Sequence, residues 1–204
     1  MERGMVGLGR MEANLVRRVS GAGHRCVVFD VNPEAVKALE TEGATGASSL
    51  EDLLSGMSAP RTVWVMVPAG ETTTHTVCEG AKHLESGDVI IDGGNFYYQD
   101  DIARAETVRA KGIHYVDVDT SGGVWGRERG YCLMIGGEGE IVERMQPIFK
   151  AIAPGSGNGR AHPRSHRRTE PGRARLPPLW AERGRSLRED GPQRHRVRGD
   201  GRQL

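Results

Sequence analysis

The sequence is poor in cysteine, in aromatic residues and in long apolar runs. Its three cysteines, Cys26, Cys78 and Cys132, lie far apart and form no C-x-x-C pair. That argues against a cysteine-based zinc site and against a secreted disulfide framework, and leaves buried thiols of a reducing compartment. No apolar stretch approaches the ~20 residues needed to span a bilayer. The N-terminal apolar run is short and leads into glycines, unlike a signal peptide, so a soluble cytoplasmic protein is expected. His75, His83 and His114 are read as pairing with no Cys, Asp or Glu to make a metal site, and no metal is assigned. Lysine is missing from the last quarter. Residues 156–204 hold 13 Arg, no Lys and 5 Asp+Glu, a net +8, whereas residues 1–155 hold 15 Lys+Arg against 22 Asp+Glu, a net −7. The formal total of +1 over 204 residues hides two unlike parts. The tail also lacks Ile, Phe, Met, Tyr and Cys, and it carries five of the 10 prolines. Such a segment has no core to offset its ordering entropy, so 156–204 is expected to be a disordered basic tail after one domain, 1–155.

The first part alternates strand and helix patterns. Met5 to Leu8 starts a short strand, and Met11 to Val19 has apolar residues at helical spacing. Arg25 to Val31 reads as a buried strand. Asn32 is a suitable N-cap, with Pro33 and Glu34 in the first turn of a helix stopping near Gly43. Ser49 caps a shorter helix. Strands follow at Thr62–Val67, Asp88–Asp92, Ile113–Val118 and Tyr131–Gly136, with helices at Thr74–Leu84, Asp101–Lys111 and Glu140–Ala151. Thr120 to Gly130 reads as a loop. Most strands are continuous apolar runs, the pattern of a mostly parallel sheet covered on both faces: a doubly wound α/β fold.

Gly7-Leu8-Gly9 falls between the first strand and the first helix. Gly7 permits the tight turn, and Gly9 lets backbone approach an anion at the helix N-terminus, where free N–H groups point outward. Asp30 lies 21 residues after Gly9, at the end of the second strand, where an acid accepts hydrogen bonds from the adenosine ribose of a dinucleotide. Strand, glycine turn, helix, strand and acid together predict a Rossmann domain binding NAD or NADP. NAD is favoured, because Asp30 repels a 2′-phosphate and Val31-Asn32-Pro33 brings no arginine to hold one. The third glycine of the fingerprint is replaced by Glu12. It is expected to crowd the helix–sheet contact, to set a negative charge near the pyrophosphate and so to weaken binding.

Four strings carry a resemblance: G-L-G-R-M-E-A-N-L (Gly7–Leu15), V-M-V-P-A-G (Val65–Gly70), D-G-G-N (Asp92–Asn95) and T-S-G-G-V-W-G (Thr120–Gly126). The chain resembles the decarboxylating 6-phosphogluconate dehydrogenases over residues 4 to about 154. The first two strings also suit the wider β-hydroxyacid dehydrogenases, such as those acting on hydroxyisobutyrate; a non-catalytic dinucleotide-binding fragment is the third alternative. The resemblance implies oxidation of the 3-hydroxyl of a phosphorylated sugar acid by hydride transfer, then decarboxylation to ribulose 5-phosphate. It places Leu8, Arg10 and Met11 with the glycines against the cofactor, and Val67, Pro68 and Ala69 along its nicotinamide side. Asn95 would lie between nicotinamide and substrate, and Ser121, Gly122 and Gly123 would contact the sugar acid. Phe96 and Asp119 depart from the family pattern, which has serine and glycine there. Family members pair as homodimers through an all-helical C-terminal domain that this sequence does not show.

In the family, the acid–base residues follow the cofactor domain in a motif G-A-G-H-F-V-K-M-V-H-N-G-I-E-Y-G. No catalytic residue is readable in frame in 156–204. A shift of one base changes that. With permitted codons, Leu187 to Gly199 becomes F-V-K-M-V-H-N-G-I-E-Y-G, and Leu179 to Ser186 becomes C-G-P-S-G-A-G-H. An arginine-, glycine- and proline-rich tail without lysine is also what a GC-rich gene gives out of frame. The competing reading is an evolved basic arm for nucleic acid or acidic surfaces. It is disfavoured, since Trp180 is the tail's one aromatic residue.

Overall fold

The computed structural model describes residues 1–94 and 98–155. Asn95, Phe96 and the tail 156–204 lie outside the described residues. Seven strands form one sheet: β1 (Glu2–Val6), β2 (Arg25–Phe29), β3 (Thr45–Gly46), β4 (Thr62–Val65), β5 (Val89–Asp92), β6 (His114–Ser121) and β7 (Cys132–Gly136). Their order is β3-β2-β1-β4-β5-β6-β7, parallel throughout except that β7 runs antiparallel to β6. The helices are α1 (Arg10–Gly21), α2 (Pro33–Glu40), α3 (Leu50–Ser55), α4 (Glu71–His83), α5 (Tyr98–Arg109), α6 (Gly126–Arg129) and α7 (Gly139–Ile152). This is the doubly wound Rossmann arrangement expected from the sequence.

Alternate side chains of the strands enter two cores. Leu15 and Val19 of α1, Leu39 of α2 and Ile148 and Ile152 of α7 pack with Val28, Trp64, Ile91 and Val116 on one face. Leu53 and Leu54 of α3, Val77 of α4 and Val108 of α5 pack with Val27, Val63, Val65 and Ile90 on the other. Burial on both faces is why the strands read as unbroken apolar runs. Local signals fix the helix starts. Asn32 Oδ1 accepts the Glu34 N–H at 3.1 Å. Ser49 Oγ accepts the Asp52 N–H at 3.0 Å, while Asp52 Oδ2 accepts the Ser48 N–H at 2.7 Å, a reciprocal cap.

The structure corrects several boundaries. β1 begins at Glu2 rather than Met5, because the ladder to β2 runs from Glu2↔Arg25 to Val6↔Phe29. Arg3 is thereby buried, though its type reads as surface. β1 ends at Val6, where Gly7 turns the chain at φ +92°, and β2 ends at Phe29 rather than Val31. Helices α4 and α5 each start three residues earlier than their apolar patterns suggest. The stretch read as a loop holds the end of β6, a 3-10 turn at Gly123–Trp125 and α6. The cysteines are not uniformly buried: Cys26 is buried, Cys78 is half-buried, and Cys132 is exposed on the edge strand β7. Among the described residues, no helix is long and apolar enough to cross a membrane, and no cluster of His, Cys, Asp and Glu could hold a metal ion.

Candidate functional site

Strand order reverses at β1: β2 and β3 extend the sheet on one side of it, and the chain then crosses to β4 on the other. Helices reached from the two sides of this point diverge, and a crevice opens at the carboxyl ends of the strands. Here it is a cleft of about 1070 Å³. Gly7, Leu8 and Gly9 form its floor with Met11. Phe29, Asp30 and Val31 flank one side, and Met66, Val67, Pro68, Gly93, Gly94, Asp119 and Thr120 the other. The far wall belongs to the start of α3, with Ser49, Leu50 and Glu51, and to one face of α4, with Thr72, His75, Thr76, Glu79 and His83.

The glycine turn is built as the sequence requires. A Cβ on Gly7 would overlap the Met66 carbonyl oxygen, and its φ of +92° also excludes other residues at low strain. Gly9 is the N-cap of α1, with no side chain capping the helix, so backbone N–H groups of the first turn face the cleft. Asp30 holds the backbone on both sides of it. Its Oδ2 accepts the Leu8 N–H at 2.6 Å and its Oδ1 the Asn32 N–H at 2.8 Å. One carboxylate thus ties the glycine turn to the β2–α2 connection. A carboxylate has about four acceptor positions, so two remain for hydroxyl donors.

Glu12 occupies the third residue of α1, and its position corrects the expected crowding. The side chain is half-exposed, and the carboxylate folds back over Gly9: Oε2 lies 2.5 Å from where a Gly9 Cβ would stand. The bulk is therefore directed to the mouth of the cleft instead of between helix and sheet. The charge sits at the positive end of the helix dipole, the place an incoming phosphate would take.

Among the other residues expected from the sequence, Val67 and Pro68 line the cleft, with Ala69 next along the chain. Arg10 is exposed at the first turn of α1. Ser121, Gly122 and Gly123 are exposed at the C-terminal end of β6, directly after the lining pair Asp119 and Thr120. Gly122 has φ +153° and a Cβ there would press on the Tyr131 ring. His114 starts β6 and its Nδ1 lies 3.1 Å from Glu138 Oε2, a structural contact.

Beneath the β5 end lies a group that sequence reasoning missed. Asp92 is fully buried. Its Oδ1 accepts the Gly94 N–H at 3.1 Å, and its Oδ2 accepts the Tyr115 hydroxyl and lies 3.4 Å from Arg104 Nη1. Arg104 also reaches Asp101 at 3.0 Å. Burial pushes the Asp92 carboxyl above the usual carboxylate range, against the donors around it. Asp117, its partner on β6, is pushed up to about 6 by burial and by the charges of Asp101, Asp92 and Asp119.

A crevice at the switch point, a glycine turn at the start of a helix without a side-chain cap and an acid just after the second strand together suit a dinucleotide. The class that follows is the NAD(P)-binding domain of an oxidoreductase. The comparisons carry this further. A family model described as the NAD binding domain of 6-phosphogluconate dehydrogenase matches residues 2–159, and the chain belongs to this family.

The chain is 40% identical over 162 residues to the NAD(+)-dependent, decarboxylating 6-phosphogluconate dehydrogenase of Haloferax volcanii, covering 79% of this chain and 53% of that protein. It is 32% identical over 154 residues to the NAD(+)-dependent, decarboxylating 6-phosphogluconate dehydrogenase of Bacillus subtilis, covering 74% and 33%. Among solved structures, 6-phosphogluconate dehydrogenase of Plasmodium falciparum superposes with a TM-score of 0.70 at 27% identity, over 77% of this chain and 35% of that one. A 3-hydroxyisobutyrate dehydrogenase of Mycobacterium tuberculosis, at 24% identity and a TM-score of 0.70, shares the fold. The chain spans about half or less of the length of these relatives.

Proposed function

We propose that this chain is the cofactor domain of an NAD-dependent, decarboxylating 6-phosphogluconate dehydrogenase, and that as written it binds NAD without completing the reaction. The observation that carries the cofactor choice is the charge of the cleft. Five carboxylates line it, Glu12, Asp30, Glu51, Glu79 and Asp119, and among the described residues no Lys or Arg does. A third phosphate on the adenosine ribose would enter this field without a cation to meet it. Two relatives named as NAD(+)-dependent support the same choice.

The residues fit the dinucleotide. Gly7 and Gly9 admit the pyrophosphate to the α1 N-terminus, Asp30 keeps acceptor positions for the adenosine ribose, and Val67 and Pro68 wall the far half against water. NAD, when bound, takes up the hydride released as the substrate hydroxyl becomes a carbonyl. Asn95 and the Ser121-Gly122-Gly123 segment are assigned to the phosphorylated sugar acid, the segment through a hydroxyl and backbone N–H groups. Taking the proton from the substrate hydroxyl needs a base, and we assign that base to the family motif that reappears when 179–199 is read one base out of frame. The tail 156–204 is accordingly a product of a shifted frame, and the homodimer and its cytoplasmic setting belong to the frame-restored protein. The test is to resequence the gene around the codons for residues 150–160 and to assay the frame-restored protein with 6-phosphogluconate against hydroxyisobutyrate. Turnover of hydroxyisobutyrate alone overturns the substrate assignment.

A further inference from the structure

The described cleft leaves one buried polar group unexplained by cofactor contact: the Asp92, Tyr115 and Arg104 cluster beneath the β5 end. We infer that Tyr115 and Arg104 are positioning residues for the nicotinamide half of the cleft, acting through Asp92 on the Gly93-Gly94 turn; the inference rests on the cofactor reading above.

The turn is fixed from two sides. On the sheet side, the Gly93 N–H donates to the Val65 carbonyl at 2.9 Å, and a Cβ on Gly93 would overlap the Trp64 indole, so the backbone lies directly on that ring. On the other side, Asp92 Oδ1 accepts the Gly94 N–H. The opposite oxygen of the same carboxylate is held by groups from two further elements, the Tyr115 hydroxyl from β6 and the Arg104 guanidinium from α5. Arg104 Nε in turn donates to Thr74 Oγ1 on α4 at 3.2 Å. Two elements therefore converge on one carboxylate, a third braces Arg104, and the remaining carboxylate oxygen sets a cleft-lining turn. A buried carboxylate is costly without partners, and rotation of Asp92 on loss of either partner would release Gly94.

The place of the turn decides what it affects. Asp30 follows β2 on one side of β1, and Gly93 and Gly94 follow β5 on the other. With the pyrophosphate at α1, the adenosine lies towards β2 and the nicotinamide nucleoside over β4 and β5. A shift of Gly93-Gly94 should be felt by the nicotinamide half alone, which a loss of general stability would not reproduce.

The experiment is calorimetric titration of the full chain, and of its Tyr115→Phe and Arg104→Gln variants, with NADH and with ADP-ribose, which lacks the nicotinamide. The expected result is about tenfold weaker NADH binding in each folded variant, with ADP-ribose within about twofold of the unaltered chain. Equal weakening of both ligands would assign the cluster a purely structural role and overturn the inference, as would no change in either. If the unaltered chain binds neither ligand, the cofactor reading itself falls, and the inference with it. Thermal melts of both variants identify any that does not fold, and the other then decides.

Discussion

Asp30 Oδ2 accepts the Leu8 N–H at 2.6 Å, so the residue that marks the end of β2 also holds the glycine turn after β1. Replacement should have two effects. Asp30→Ala should lower both thermal stability and NADH affinity, because the Leu8 and Asn32 N–H groups each lose an acceptor. Loss of such a bond costs about 0.5–1.5 kcal/mol, more where the donor is left buried. The unaltered chain should bind NADH at least about tenfold more tightly than NADPH, a difference of ~1.4 kcal/mol. Fluorescence titration with both reduced cofactors measures this, and tighter NADPH binding would reverse the assignment.

Glu12→Gln and Glu12→Gly should both strengthen NADH binding, since each removes the carboxylate folded over Gly9. They should differ in stability. Glycine within a helix costs about 1 kcal/mol relative to alanine, and the favourable charge at the helix N-terminus is lost as well. Glu12→Gly should therefore melt a few degrees lower, roughly 2–4 °C per kcal/mol in a domain of this size. A rise in melting temperature would show that the side chain is under packing strain after all.

Asp117 provides a pH signature. Its carboxyl is raised in the folded state to about 6 from an ordinary 3.8. An acid raised on folding binds its proton more tightly when folded, so its favourable contribution is present at low pH and disappears as pH rises through about 6. Asp117→Asn should raise the melting temperature at pH 7.5 and change it little at pH 4. An equal gain at both pH values would mean that charge is not the cause.

The chain as written should give no NADH from 6-phosphogluconate, whereas the frame-restored protein should. Loss of a general base typically lowers a rate by about 10²–10⁴-fold, and on the proposed reading of the tail the groups that position the substrate are lost with it. An absorbance assay at 340 nm on the two purified proteins makes the comparison. Robust activity from the unrepaired chain would contradict the reading of its tail.

How far the sequence reveals this molecule depends on the range of the interaction. Asn32 and Ser49 announce their helices because a cap is made within three residues. The runs V-V-F and V-W-V announce buried parallel strands because both faces are covered. Glu2 and Arg3 do not announce a strand, since only the ladder to Arg25 and Cys26, more than twenty residues away, draws them in. The two-residue β3 is formed by pairing with Val27 and Val28 and has no pattern of its own.

The same holds for the site. Gly7 is legible because a backbone at φ +92° fixes its type, and Gly9 and Asp30 because they stand at a fixed spacing from it. The Asp92, Arg104 and Tyr115 cluster spans β5, α5 and β6, and each of its residues alone is an ordinary polar residue. The lining face of α4 had a signal in the i, i+3 and i+4 spacing of Thr72, His75, Thr76 and Glu79, but a solvated helix face carries the same spacing.

The five carboxylates of the cleft lining, which no Lys or Arg among the described residues offsets, also reverse an ordinary expectation about salt. Where arginines clasp a dinucleotide, added electrolyte weakens the grip. Here the pyrophosphate enters a field of its own sign, and its attraction comes from short-range backbone donors. At about 0.1 M ionic strength the screening length is ~10 Å, comparable with the reach of the lining carboxylates. Simple salt should damp the repulsion more than the contact, so NADH should bind more tightly in 0.3 M than in 0.03 M sodium chloride.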